Sequence, residues 1–67
     1  MISVRLNGEE RQIPKEIDLA SVIDLFSLPK QRVAVELNRR VIRRSDWPQT
    51  TIKDGDELEV VHFVGGG

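Results

Sequence analysis

The sequence contains no cysteine among its 67 residues. Without a thiol, the chain can form no disulfide and no thiolate metal site, and it can neither use a cysteine nucleophile nor carry a persulfide. Its one histidine, His62, has no second histidine or cysteine to work with. We therefore interpret His62 as a surface or strand-end residue. A small hydrophobic core has to stabilise the domain without covalent help.

Long apolar runs are also missing. Residues 1–6 show neither the basic and then apolar segments of a secretory signal nor a stretch that could cross a bilayer. We therefore expect a cytoplasmic protein that does not associate with membranes.

The chain has little net charge, with a formal value of −1 and a pI of about 5.7. This balance excludes a whole-protein attraction to nucleic acid. Basic residues nevertheless concentrate within residues 30–44, and acidic residues within 54–59. We expect two surface regions of opposite sign, with the basic one a solvated face or a contact for an acidic patch on a protein partner.

The first half of the chain predicts a hairpin and a helix. Residues 2–6 alternate between apolar and polar, as in a strand with one buried face. Asn7-Gly8 is a strong signal for a two-residue hairpin turn, which predicts a returning edge strand over 9–13. Asp18 is a good N-cap, and the apolar stripe after it predicts a helix over 19–26.

The second half predicts three more strands. Trp47 is expected to plug one end of the core, and residues 54–56, Asp-Gly-Asp, form a turn because the other ligands of a calcium loop are missing. The remaining predicted segments are, in chain order, a strand over 33–37, a turn over 38–40, a short strand over 41–42, a turn or single helical turn over 45–48, and a last strand over 57–64. This order predicts an α+β domain with one helix across a mixed sheet of four to five strands. If the strands before and after the helix lie near each other in the sheet, they should run parallel.

The last strand leads into three glycines, Gly65, Gly66 and Gly67. Glycine has no Cβ, so such a tail can pass through a channel too narrow for other side chains and present its carboxylate to another protein. A terminal carboxylate is ionised at neutral pH and is a poor electrophile. It needs activation before a nucleophile can attack it, usually as an acyl-adenylate made from ATP.

Taken together, these segments resemble a known family. The first strand with Asn7-Gly8, the helix led by Asp18, the segment Val-Ala-Val-Glu-Leu-Asn over 33–38, Asp-Gly-Asp over 54–56 and the ending Val-His-Phe-Val-Gly-Gly-Gly over 61–67 are similar to the ThiS sulfur carriers of thiamine biosynthesis. The resemblance covers essentially the whole chain. It implies a ubiquitin-like β-grasp fold in a single domain, 1–67, with 65–67 as a flexible tail and with the first and last strands as central parallel neighbours.

The resemblance also implies a chemistry. A ubiquitin-activating-like enzyme would use ATP and magnesium to adenylate Gly67, with Gly65 and Gly66 as the tether. A sulfur-donor protein would then convert the adenylate to a thiocarboxylate, from which thiazole synthase takes the sulfur. The carrier itself would be no enzyme, would bind no cofactor and would be a monomer when free.

The end of the last strand is the predicted partner interface. The strand alternation places Val61 and Phe63 on the face opposite Leu58 and Val60, and we expect Val61, Phe63 and Val64 to contact the activating enzyme. Two alternatives stay open. The chain could carry sulfur for another pathway, such as molybdopterin synthesis, or it could be a β-grasp interaction module that binds partners noncovalently and ends in glycine.

Overall fold

The computed structural model describes residues 1–62. Over this range the chain forms five strands, one α-helix and one 3-10 helix. The elements are, in chain order, β1 Ile2–Leu6, β2 Glu9–Ile13, α1 Leu19–Leu25, β3 Val33–Leu37, β4 Arg40–Ile42, a 3-10 helix Arg44–Gln49 and β5 Glu57–His62. In the same range, no helix is long and apolar enough to cross a membrane.

The strands form one mixed sheet in the order β2-β1-β5-β3-β4. The first and last strands, β1 and β5, are central and parallel, and every other neighbouring pair is antiparallel. The predicted mixed sheet is therefore confirmed. β3 runs in the direction of β2, which is the orientation predicted for strands that lie near each other, although β1 and β5 lie between them.

Both predicted hairpins form, each around a two-residue turn. Asn7 and Gly8 have φ values of 50° and 85°, which are the positive values of a type I′ turn. The second hairpin turns through Asn38 and Arg39, and β4 already begins at Arg40. β2 lies at the sheet edge as predicted, and of its five residues only Ile13 is buried.

The helix α1 begins where the cap signal predicted. The Asp18 carboxylate accepts hydrogen bonds from the backbone N–H of Ser21 at 3.0 Å and from its hydroxyl at 2.7 Å. These bonds stabilise the ionised form, so they hold the pKa of Asp18 below its ordinary value, the Ser21 hydroxyl having the largest effect. The cap thereby satisfies donors of the first helical turn that would otherwise lack partners.

The helix ends one residue earlier than predicted. Phe26 is the C-cap, and the chain leaves the helix through Ser27, whose φ is 54°. The N–H of Ser27 donates to the Asp24 carbonyl and that of Leu28 donates to the Ile23 carbonyl, both at 3.0 Å. This is a Schellman motif, with serine where glycine is the usual residue. Backbone hydrogen bonding therefore ends the helix before Pro29 is reached.

The core lies between α1 and one face of the sheet. Leu19, Val22 and Ile23 of the helix stripe are buried, whereas the fourth predicted member, Phe26, is only half-buried. The other buried side chains come from the sheet, from Trp47 and from the segment after the 3-10 helix: Val4, Leu6, Ile13, Val35, Ile52 and Leu58.

Trp47 closes one end of this core, as predicted. It lies in the 3-10 helix, is 5% exposed, and donates from Nε1 to the Ile42 carbonyl at 3.1 Å. The guanidinium of Arg44 lies 5.5 Å from the ring centroid, within range of a cation–π contact. The predicted single turn over 45–48 is thus a slightly longer 3-10 helix.

Candidate functional site: the end of the central strand

β5 is the strand that carries the chain toward its C-terminal residues. It lies between β1 and β3, and all of its described residues except Glu57 pair with β3, from Leu37↔Leu58 to Val33↔His62. Leu58 is 1% exposed beneath the helix, and Val60 on the same face is half-buried. Burial of Leu58 in the first half of β5 thus fixes in the sheet the strand whose exposed end precedes the glycines.

Val61 is on the opposite face of β5, where the helix does not cover the sheet. Its side chain is 49% exposed, and its partner on β3 is Ala34. Val41 on β4 is exposed to 68% and is the partner of Glu36, which in turn faces Glu59 on β5. An apolar surface interrupted by two carboxylates therefore lies beside the end of β5.

His62 is exposed at the last described position of β5, opposite Val33. The helix-facing row of β5 changes from buried at Leu58 through half-buried at Val60 to exposed at His62. The structure thus agrees with the interpretation of His62 as a strand-end surface residue.

The turn over 54–56 holds the beginning of β5. Asp54 accepts a hydrogen bond from the Ser3 backbone N–H at 2.8 Å, and Asp56 accepts one from the Lys53 backbone N–H at 2.8 Å. Gly55 has a φ of 86°, a value that favours glycine. Both carboxylates thus serve the turn, and no cluster of three metal-ligating side chains occurs within residues 1–62.

One residue of the predicted basic region, Arg39, lies beside the predicted acidic region. The acidic side chains of Glu36, Glu57 and Glu59 line a shallow depression of about 210 Å³ together with Arg5 and Arg39. Arg5 is the register partner of Glu57, and its Nη1 donates to the Gly8 carbonyl at 3.3 Å. Cross-strand pairing therefore brings basic residues from other parts of the chain to the acidic segment.

The predicted tail lies outside the described residues. Gly67 as the modified residue, Gly65 and Gly66 as the tether, and Phe63 and Val64 as interface residues all fall within 63–67. The structure therefore places one member of the predicted interface, Val61, and the strand that leads to the others.

Two asparagines that the sequence predicted only as turn residues also bind β5 directly. Asn7 Oδ1 accepts a hydrogen bond from the backbone N–H of Val60 at 2.8 Å, and Asn38 Oδ1 accepts one from that of Glu57 at 2.9 Å. The signal available in the sequence was an asparagine at the first position of each two-residue turn. Nothing in local sequence showed that both side chains meet the same strand.

Curated relatives match nearly the whole chain. The chain is 34% identical to "Sulfur carrier protein ThiS" of Bacillus subtilis, over 96% of this chain and 98% of that protein. It is 36% identical to "Thiazole synthase" of Paramagnetospirillum magneticum over 92% of this chain. The matched region spans only 19% of that thiazole synthase, which is a much longer protein.

Solved structures and a family model agree with these relatives. The fold is similar to that of the crystal structure of a thiamine biosynthesis protein, ThiS, from Geobacter metallireducens, with a TM-score of 0.88 and 29% identity, over 98% of this chain and 100% of that one. The mixed sheet around one helix is thus a β-grasp fold, as predicted. The model of the ThiS family matches residues 4–67. The chain belongs to the ThiS family, which confirms the resemblance found in its sequence.

Proposed function

We propose that this chain is a sulfur carrier of thiamine biosynthesis, whose Gly67 carboxylate is adenylated, converted to a thiocarboxylate and used by thiazole synthase. It is a carrier rather than an enzyme, in keeping with its family. The activating enzyme, with ATP and magnesium, and a sulfur-donor protein would supply the chemistry.

One structural observation supports this proposal above the others. The strand that precedes the glycines, β5, is the central strand of the sheet, and its first residues are tied to both neighbours. Its end carries exposed Val61 at a point six residues before Gly67. A rigid body that delivers a short glycine-ended segment suits the insertion of a carboxylate into a partner's active site.

The proposed reaction has two steps at the Gly67 carboxyl group. A carboxylate oxygen attacks the α-phosphorus of ATP, and pyrophosphate leaves, which creates a mixed anhydride with AMP. Sulfur then attacks the carbonyl carbon, the bond to AMP breaks, and a C–S bond replaces the C–O bond. If the sulfur arrives as a persulfide, a thiol must cleave the resulting S–S bond and is itself oxidised to a disulfide.

The chain itself presents and orients the carboxylate that reacts. Glycines at 65–67 leave room around the reacting carbonyl. Since the sequence has no cysteine, the terminal carboxylate is the position that can hold sulfur covalently in this scheme. The thiocarboxylate sulfur would then be the nucleophile for the acceptor enzyme.

The relatives support thiazole synthase as the acceptor. Proteins named thiazole synthase, from Paramagnetospirillum magneticum and Magnetococcus marinus, contain a stretch similar to 92% and 98% of this chain, which makes up 19% and 20% of their own lengths. A carrier-like stretch within the same polypeptide as the acceptor favours this pathway over molybdopterin synthesis.

The proposal is tested by measuring the intact mass of the protein after incubation with the activating enzyme, ATP, magnesium and a cysteine-derived sulfur source. The expected product is one in which sulfur has replaced one oxygen, located at Gly67 by fragmentation. Adding thiazole synthase and its other substrates should restore the original mass.

Deletion of Gly67 provides the control. The truncated chain should keep its fold, because Gly67 follows the last core residue of β5 by several positions, and it should gain no sulfur. An unchanged mass of the intact chain, with an activating enzyme that is active on another carrier, would instead support a noncovalent interaction module.

A further inference from the structure

β5 is supported unequally on its two sides. On the β3 side, its pairing continues to His62. On the β1 side, the strand register contains only Arg5↔Glu57 and Leu6↔Leu58, because β1 ends at Leu6 and the chain turns away through Asn7. The second half of β5, which leads to the tail, therefore has a strand on one side only.

The side chain of Asn7 continues the hydrogen bonding on the β1 side of β5 beyond the point where β1 ends. The hydrogen bonds on the β1 side of β5 run from Arg5 N–H to the Asp56 carbonyl at 2.9 Å and from Asn7 N–H to the Leu58 carbonyl at 2.8 Å. The next donor on that edge, the Val60 N–H, binds Asn7 Oδ1 at 2.8 Å. Asn7 Oδ1 thus takes the place of the backbone carbonyl that β1 would provide if the strand continued past Leu6.

The turn geometry makes this substitution possible. Asn7 has a φ of 50°, a conformation that asparagine tolerates better than most residues, and there its short amide can reach the neighbouring strand. Gly8, with a φ of 85°, completes the turn. A residue at position 7 therefore has to combine a positive φ with an acceptor of this length.

We infer that Asn7 is a positioning residue for adenylation of the C-terminal carboxylate: by holding Val60, it sets the direction in which β5 leads toward that carboxylate. This inference rests on the proposed function. Residues 61–67 follow Val60 and can span at most about 25 Å, so the direction of β5 at Val60 sets where this short segment starts and limits where its end can reach. Reactions that depend on orientation are sensitive to such a change.

Asn38 offers a matched control in the same fold. Its Oδ1 accepts from the Glu57 N–H at 2.9 Å, and its Nδ2 donates to Asp56 Oδ1 at 3.0 Å. These bonds hold Asp56 and Glu57, at the start of β5, and not its second half. Asn38→Gly removes more hydrogen bonds than Asn7→Gly while keeping the freedom to adopt positive φ, and it leaves Val60 bound.

The test compares Asn7→Gly, Asn7→Asp and Asn38→Gly in pyrophosphate exchange by the activating enzyme, with the intact 67-residue carrier as the varied substrate. Asn7→Gly should raise KM or lower kcat so that kcat/KM falls about fivefold or more, since it loses the acceptor. Asn7→Asp keeps an acceptor oxygen and should stay within about twofold of the wild type. The kcat/KM of Asn38→Gly should also stay within about twofold of the wild type, although this variant is expected to lose thermal stability.

Hydrogen exchange provides a readout that does not depend on the enzyme. In Asn7→Gly the Val60 amide should lose protection selectively, while the Glu57 amide should lose it in Asn38→Gly. Unchanged kinetics in a folded Asn7→Gly would overturn the inference, as would an equal loss in Asn38→Gly or unchanged Val60 exchange. If the wild-type chain supported no pyrophosphate exchange by the activating enzyme, the proposed function would be overturned, and this inference with it.

Discussion

Gly8 and Arg39 occupy the same position in two turns of the same handedness, with φ values of 85° and 71°. Each follows an asparagine with a φ near 50° and completes a two-residue hairpin loop. Glycine adopts this conformation without a Cβ clash, whereas arginine does so at a cost of about 1–2 kcal/mol. The second hairpin therefore holds backbone strain that the first does not.

Arg39→Gly should relieve that strain. We expect the free energy of unfolding to rise by about 0.5–1 kcal/mol, because the greater freedom of glycine in the unfolded chain offsets part of the gain. Urea denaturation followed by the fluorescence of Trp47, the one tryptophan, measures the change. Gly8→Ala is the reverse control: a Cβ there meets nothing within 4 Å, so any destabilisation reports backbone strain. A less stable Arg39→Gly would show that contacts of the arginine side chain outweigh the strain.

The Asp18 carboxylate should make the stability of the fold decrease at low pH. Its pKa is lowered in the folded chain, first by the Ser21 hydroxyl and then by the Ser21 backbone N–H. Since the folded state binds the proton less tightly than the unfolded state, this contribution is complete well above the unfolded pKa of about 3.9 and disappears as pH falls through the lower folded value. Asp18→Asn retains a capping acceptor without the charge. Its Tm should therefore fall less than that of the wild type between about pH 6 and pH 2. An equal fall in Tm in both proteins would contradict the assignment of this pH dependence to Asp18.

Val61 should contribute to partner binding without supporting the fold. The side chain is 49% exposed on the sheet face that the helix does not cover. Val61→Ser should weaken binding to the activating enzyme by about fivefold, the loss expected for about 1 kcal/mol of apolar burial. Leu25 is similarly exposed, at 50%, but lies on the helix, and Leu25→Ser is the control. Isothermal titration calorimetry measures both variants, and equal effects would mean that Val61 is not part of a specific interface.

Most of the elements could be predicted because their signals are local. Asn7-Gly8, the Asp18 cap and the alternating residues 33–37 each carry the information for their own segment, and the structure has all three where they were expected. The end of α1 was misplaced by one residue. Its Schellman motif depends on Ser27 adopting a positive φ, and serine gives a weaker signal for this conformation than glycine.

The sequence by itself determined the hairpins, the helix, the glycine ending and the absence of thiol chemistry, because these follow from backbone preferences and side-chain inventory. The tertiary structure decided which residues share a surface. It exposed Val61 while half-burying Val60, placed Arg39 among glutamates, and brought Asn7 to within 2.8 Å of a residue 53 positions away. Such contacts arise from strand order and register, which depend on how the whole chain packs its core and not on any local pattern.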